Sequence, residues 1–283
     1  MAYEVRPLEA RSQEGVLKVA ALLYHDVVED GREDESGFPG AAAGRYKLRS
    51  EDFERHLEAL ASLAEGPPAV VDDLPAGRHH PVPWLLTFDD GGSSALRIGE
   101  QLAQRSWRGH FFVTVDYIGT AGFLTRDAIR SLRELGHVIG SHSCSHPERM
   151  SRCTWEELLY EWGRSGEVLS EILGGHVTVA SVPAGHYGKI VARAAAEVGI
   201  RTLFTSEPVL EMREVDSCSV VGRFTIQRGV PPETAAALAR ARPFPRSRQF
   251  AYWNLKKAAK TVGGERYLRL RQWLLSDPLR KAQ

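Results

Sequence analysis

Seven short apolar runs recur along this chain, and stretches with amphipathic-helix spacing fall between them. That alternation constrains the fold more than any other feature. The runs are residues 16–25, 83–88, 109–115, 136–142, 176–183, 201–206 and 219–226, with helical patterns at 50–64, 93–106, 125–135, 154–173 and 187–198. Runs this apolar suit strands covered on both faces. Strand and helix in alternation predict an α/β fold with a parallel sheet. Seven strands in about 230 residues point to a closed or nearly closed β/α barrel, with a doubly wound open sheet as the rival. In the 50–64 stretch, Ser50 reads as an N-cap and Phe53, Leu57, Leu60 and Leu63 as one apolar face.

With 283 residues, 43% of them hydrophobic and 25% charged, the chain can bury a sizeable core without covalent staples. Lys and Arg number 36, as do Asp and Glu, so net charge gives no reason to expect a nucleic-acid partner. The balance is uneven, however. From Arg240 onward there are twelve Lys and Arg against two Asp and Glu. The predicted organisation is therefore a barrel over residues 1–229 and a basic helical extension over 230–283. Residues 26–49, rich in Gly, Asp, Glu and Ala, read as a long loop, and residues 66–83 as a proline-rich connection. The N-terminal stretch has no apolar segment of the secretory kind, and no run is long enough to span a membrane. Cys144, Cys153 and Cys218 form neither a disulfide framework nor a thiolate metal motif. A reducing, cytoplasmic setting is the expectation.

"WLLTFDDGG" (84–92) ends one apolar run in adjacent carboxylates, Asp89 and Asp90. In parallel β/α folds, ligands collect at the C-terminal ends of strands. Two carboxylates this close repel each other unless a cation or a shared proton intervenes. Gly91 and Gly92 permit the bend that aims both at one site. The same stretch also fits a polar turn ahead of the helix at 93. A second strand end, "GSHSCSHP" (140–147), carries His142 and His146. That i, i+4 spacing brings two imidazoles to one face if the segment turns helical. Two histidines and a carboxylate make a three-ligand metal site with a position left for water.

"TFDDG" followed by "HSCSH", within the surrounding "GHFFVTVDYIG" and "LRELGHVIGSHSCSHP", resembles the polysaccharide deacetylases, carbohydrate esterase family four. The resemblance runs over about residues 18–226. It implies a distorted (β/α)7 barrel, here with a C-terminal helical extension. It also implies Asp89 as general base, Asp90, His142 and His146 as ligands of one divalent metal, usually zinc, and a carbohydrate substrate. The family's Arg-x-Pro-x-Gly motif reads "SVPAG" here, with Pro183 and Gly185 kept and Ser181 in place of the arginine that pairs with the base. Arg223 is a candidate substitute. The backbone N–H of Ala184 falls where the family has an oxyanion donor. The fourth motif, with its Asp and Trp, has no counterpart.

The fifth motif, Leu-x-His, is missing from the last strand but present as Leu23-x-His25 near the N-terminus. If the first strand lies beside the "TFDDG" strand, a circular permutation puts His25 in the place of the general acid and Leu23 in the acyl pocket. His186 is the competing acid and a pocket residue. His137 reads as structural, His110 as a strand-edge residue, His79 and His80 as solvated, and Cys144 as a small core residue.

The basic tail mixes Trp253, Tyr267 and Trp273 with Lys256, Lys257 and Arg269. It can pack on the barrel or touch an anionic membrane surface. The expected function is a metal-dependent N-deacetylase acting on an N-acetylated amino sugar such as N-acetylglucosamine. Its substrate would be an oligosaccharide, a polysaccharide or a lipid- or nucleotide-linked precursor, in the assembly of a surface or exported glycan. The alternatives are an enzyme hydrolysing another C–N bond (a formamide or cyclic amide), an esterase, and a glycan-binding or scaffold protein without turnover.

Overall fold

A computed structural model describes residues 16–74 and 80–255. Its strands are β1 (Ala20–Tyr24), β2 (Val27–Val28), β3 (Leu48–Arg49), β4 (Trp84–Phe88), β5 (His110–Val113), β6 (Val138–Ser141), β7 (Val179–Ser181), β8 (Thr202–Phe204), β9 (Arg213–Val215), β10 (Cys218–Val221) and β11 (Arg223–Thr225). Its helices are α1 (Ala41–Gly44), α2 (Ser50–Leu63), α3 (Ala95–Gln104), α4 (Arg126–Glu134), α5 (Trp155–Leu173), α6 (Lys189–Glu197) and α7 (Pro232–Ala239). The expected strands and the five expected helices between them are present, trimmed by a few residues at their ends, except that the 219–226 run divides into two strands, β10 and β11.

The main sheet runs β11-β1-β4-β5-β6-β7-β8-β10-β9, parallel except for the β9–β10 hairpin. Only Gly222 separates β10 from β11. The first pairs with β8, the second with β1, so one bent segment, 218–225, links the two ends of the parallel sheet. A Cβ on Gly222 would strike the Glu207 and Val209 carbonyls and the Val209 side chain. The kink therefore requires glycine.

Alternation along the strands separates two faces. Val19, Ala21, Leu85, Phe112, Val138, Val179, Phe204 and Val221 form an inner cluster. The residues between them pack outward against helices, as Leu22, Phe88, Phe111 and Ile139 do in one cluster and Ala180 and Leu203 in another. Inner parity continues to the strand ends, through Leu23 and His25, Thr87 and Asp89, His142, Ser181 and Arg223. Helix α7 buries Ala235, Ala236 and Leu238 in the same outer cluster as β1 and α2, so the start of the expected extension shares the barrel's core. Residues 243–255 are helical. The rest of the basic tail, with Lys256, Tyr267 and Trp273, lies outside the described residues. Among those described, no helix is long and apolar enough to cross a membrane.

Several local expectations need correction. Ser50 is the first residue of α2, not its cap, and its hydroxyl bonds the Glu29 carboxylate at 2.6 Å. The buried face of α2 is Phe53, His56, Leu57 and Leu60, whereas Leu63 is exposed. His56 takes an inward place because both its nitrogens find partners, the Tyr24 hydroxyl and the Val230 carbonyl. His110 is not at an edge but fully buried in β5. Residues 26–49 are not a bare loop. They contain β2, α1 and β3, and the buried Lys47 ammonium donates to the carbonyls of Glu33, Ser36 and Phe38 at 2.6–2.7 Å.

Candidate active site and metal centre

At the C-terminal end of β4 the chain turns through two left-handed residues, Asp90 (φ 76°) and Gly91 (φ 78°). That turn breaks strand alternation, so Asp90 joins Asp89 on one side of the sheet end. Gly92 is needed for a different reason: a Cβ there would overlap the Asp26 carboxylate and Gly37. The loop after β6 is not helical, contrary to the simplest reading of the His-x-x-x-His spacing. Ser143 (φ 66°) and His146 (φ 59°) bend it instead, and the two imidazole centroids lie 5.1 Å apart.

Asp90 Oδ1 lies 3.3 Å from Nε2 of His142 and 3.5 Å from Nε2 of His146. One ligand atom from each of Asp90, His142 and His146 falls within 4.8 Å of the others. The donor set fits a divalent cation. The Ser181 hydroxyl donates to Asp89 Oδ1 at 3.1 Å and so accepts Nδ1–H of His142 at 2.5 Å. The Ser181 carbonyl is 3.1 Å from the same nitrogen. With Nδ1 protonated, Nε2 of His142 is a lone-pair donor facing Asp90. Burial raises the pKa of the Asp90 carboxyl, but its contacts with the His142 and His146 imidazoles and the charge of His25 outweigh it, holding Asp90 well below the usual range. For His146, burial disfavours the proton, yet the Asp90 hydrogen bond and the charges of Asp90 and Asp89 leave its pKa raised.

Asp89 is held by Arg223. The guanidinium, 0% exposed, donates from its two terminal nitrogens to the two carboxylate oxygens at 2.6 and 2.7 Å. It is fixed in turn by the Thr205 carbonyl and the Thr87 hydroxyl, and lies over the rings of Phe112 and Phe204. Burial would raise the Asp89 pKa. Arg223 charge, His142, the Arg223 hydrogen bonds and His25 together hold it below the usual value. Arg223 thus supplies from β11 the guanidinium that Ser181 cannot supply from β7.

β1 lies directly beside β4, with Leu23 opposite Thr87 and the Asp89 N–H on the Tyr24 carbonyl. His25 therefore stands next to the carboxylate pair, near enough for its charge to act on both. Its ring packs 4.8 Å from Tyr46, and its buried Nδ1 has no hydrogen-bond partner among the described residues. Leu23 is buried beneath it. Across the site, the turn Pro183–Gly185 after β7 holds Ala184 at φ 52° and exposed, over the buried Pro183. His186 follows, half-buried, its carbonyl on the Ser151 N–H.

Some site residues were not singled out from the sequence. Phe38 packs against His146 at 4.6 Å, and against Tyr117 and Phe123. Asp26, buried beside His25, accepts from the hydroxyls of Ser36 at 2.5 Å and Ser94 at 2.8 Å. A charged residue inside an apolar run, as in "HDVV" and "YKL", was the available signal for Asp26 and Lys47. His137 and Cys144 are buried structural residues, as expected. The Cys144 thiol is pushed up to about 12 by burial. His80 is exposed, and His79 lies outside the described residues.

Residues 76–203 match the family model for polysaccharide deacetylase. The peptidoglycan-N-acetylglucosamine deacetylase PgdA of Listeria monocytogenes is 28% identical over 155 residues, 54% of this chain but 30% of its own length. Streptococcus pyogenes deacetylase PplD, solved with acetate, superposes with a TM-score of 0.63 at 18% identity, over 81% of this chain and all of that one. IcaB from Ammonifex degensii gives a TM-score of 0.60 at 21% identity, over 80% and 98%. The family-model match thus covers somewhat less than half of this chain, and the solved structures share its fold.

Proposed function

We propose that this protein is a metal-dependent hydrolase that removes the acetyl group from an N-acetylated amino sugar in an oligosaccharide or polysaccharide. The observation that carries the reading is the division of labour between two adjacent carboxylates. Asp89 is kept ionised by Arg223, while Asp90 faces His142 and His146. Asp90, His142 and His146 would hold one divalent ion; two imidazoles and a carboxylate suit zinc without excluding other transition metals. Such an ion polarises an acyl carbonyl and makes water more acidic. Asp89 then accepts the proton of the attacking water, its lowered pKa keeping it available as a base. The Ala184 N–H is the proposed oxyanion donor. His25 protonates the leaving amine, with Leu23, Pro183, Gly185 and His186 bordering the acyl pocket. The place of β1 beside β4 supports His25 as the acid, and with it a circularly permuted order of motifs. The loss of arginine at 181, which left room for other C–N hydrolases, is met by Arg223. The name of the Listeria relative supports N-acetylglucosamine as the sugar.

The test is metal content of the purified protein and acetate release from N-acetylglucosamine oligomers, for wild type, His142→Ala and His25→Ala. The expected result is about one metal per chain in wild type and in His25→Ala, loss of metal in His142→Ala, and acetate from wild type alone. Absence of bound metal after reconstitution with zinc or cobalt would sink the mechanism. Metal without acetate from any acetylated glycan would sink the substrate assignment.

A further inference from the structure

The loop that carries both metal-facing histidines is not held by regular structure. Residues 142–147 belong to no strand or helix. Two of them, Ser143 and His146, adopt left-handed backbone that side chains other than glycine avoid. Something outside the loop must hold that shape, and helix α5 supplies it. Oε2 of Glu161 accepts the N–H groups of Cys144 at 2.8 Å and Ser145 at 3.0 Å, and Oε1 accepts the Ser145 hydroxyl at 2.6 Å. One turn on, Ser165 meets the Ser141 hydroxyl at 2.6 Å, and Ser141 accepts the Ser143 N–H.

Glu161 is buried, at 8% exposure, and no Lys or Arg among the described residues forms an ion pair with it. A helix glutamate could reach water on the outer face of α5 at no cost. Here its charge is desolvated and spent on three donors of a single loop, all lying between the two histidines. A carboxylate accepting consecutive backbone N–H groups fixes the peptide planes that carry them. Those planes set the distance between His142 and His146.

We propose that Glu161 is a positioning residue for the metal centre: it sets the His142–His146 spacing and thereby the affinity for the cation. It touches neither metal nor substrate, and its role rests on the metal reading above. Losing a partner of this kind costs roughly 10–100-fold in metal affinity.

The experiment titrates metal-free protein with zinc against a chromophoric chelator, and separately with cobalt(II), recording its visible spectrum. Wild type is compared with Glu161→Ala, Glu161→Gln and Glu161→Asp. Glu161→Ala is expected to bind zinc roughly 10–100-fold more weakly, with a changed cobalt spectrum. Glu161→Gln keeps an oxygen for the two N–H groups and an amide donor for the Ser145 oxygen, so it should stay within about threefold of wild type. Glu161→Asp, one methylene shorter, should weaken binding by about tenfold, and it carries the test if the alanine variant does not fold. Wild-type affinity and cobalt spectrum in the alanine and aspartate variants, whatever their thermal stability, would overturn the proposal. Failure of wild type itself to bind zinc or cobalt would overturn the metal reading instead.

Discussion

Arg223 and Ser181 share what the expected motif arginine does alone. The guanidinium neutralises Asp89 from β11, one strand beyond β1, and the small Ser181 hydroxyl orders His142. Neither role could be assigned from "SVPAG" or "VGRFTI" alone, because only the folded sheet brings residues of β7 and β11 to the same Asp89 carboxylate. What the sequence did contain was an arginine of inner parity inside an apolar strand, where an unpaired charge is not tolerated. Arg223→Lys is expected to keep a positive charge but lose the two-point contact. The acetate-release kcat/KM should fall roughly hundredfold, about 2.7 kcal/mol in the barrier. Arg223→Ala leaves Asp89 buried without a cation and should lower stability by about 3–5 kcal/mol. Steady-state kinetics and urea unfolding check the two. A lysine variant with wild-type kcat/KM would remove Arg223 from the base's environment.

The regular elements were legible because their signals are local. Strand β4 and helix α5 announce themselves within their own residues, the second by a complete capping box, Thr154 with Glu157. The 26–49 segment was not legible, because its order comes from one ammonium and not from periodicity. Lys47 collects three carbonyls, and Gly37 donates to Gly122 at 2.7 Å. These contacts set Phe38 against His146. Burial lowers the Lys47 pKa, although the charges of Asp26, Asp34, Asp90 and Glu33 resist that shift. Lys47→Met keeps the stem and removes the donors. It leaves three acceptors unmatched, each costing about 1–3 kcal/mol where water cannot reach. Hydrogen exchange should show protection lost over residues 33–38 and kept in β5, with acetate release reduced. Unchanged protection over 33–38 would mean that the segment is held by its aromatic contacts instead.

The barrel as a whole carries a pH limit unrelated to its chemistry. His110 is fully buried on β5 of the parallel sheet, stacked near Phe112 and tilted against Phe204. Its Nδ1 donates to the Leu86 carbonyl at 3.0 Å and its Nε2 accepts the Val71 N–H at 3.1 Å. Both nitrogens are therefore used by the neutral ring, and a second proton would displace Val71. Burial, helped by the charges of Arg223, Arg108 and His137 and opposed by the Leu86 bond, lowers its pKa from 6.5 to about 4. The unfolded chain thus binds this proton more readily than the folded one throughout that window. Stability is complete above about pH 6.5, falls as the pH drops, and levels off below about pH 4. At pH 5 the loss is about 2 kcal/mol. His56 and His137, also lowered by burial, act in the same direction, whereas His146 acts against them in metal-free protein. The contribution of His110 is therefore read as a difference. Between pH 7 and pH 5, urea unfolding of metal-free wild type should lose about 2 kcal/mol more than His110→Gln, whose amide offers one donor and one acceptor and does not titrate. Equal losses in the two proteins would show that His110 takes up its proton without disturbing the sheet.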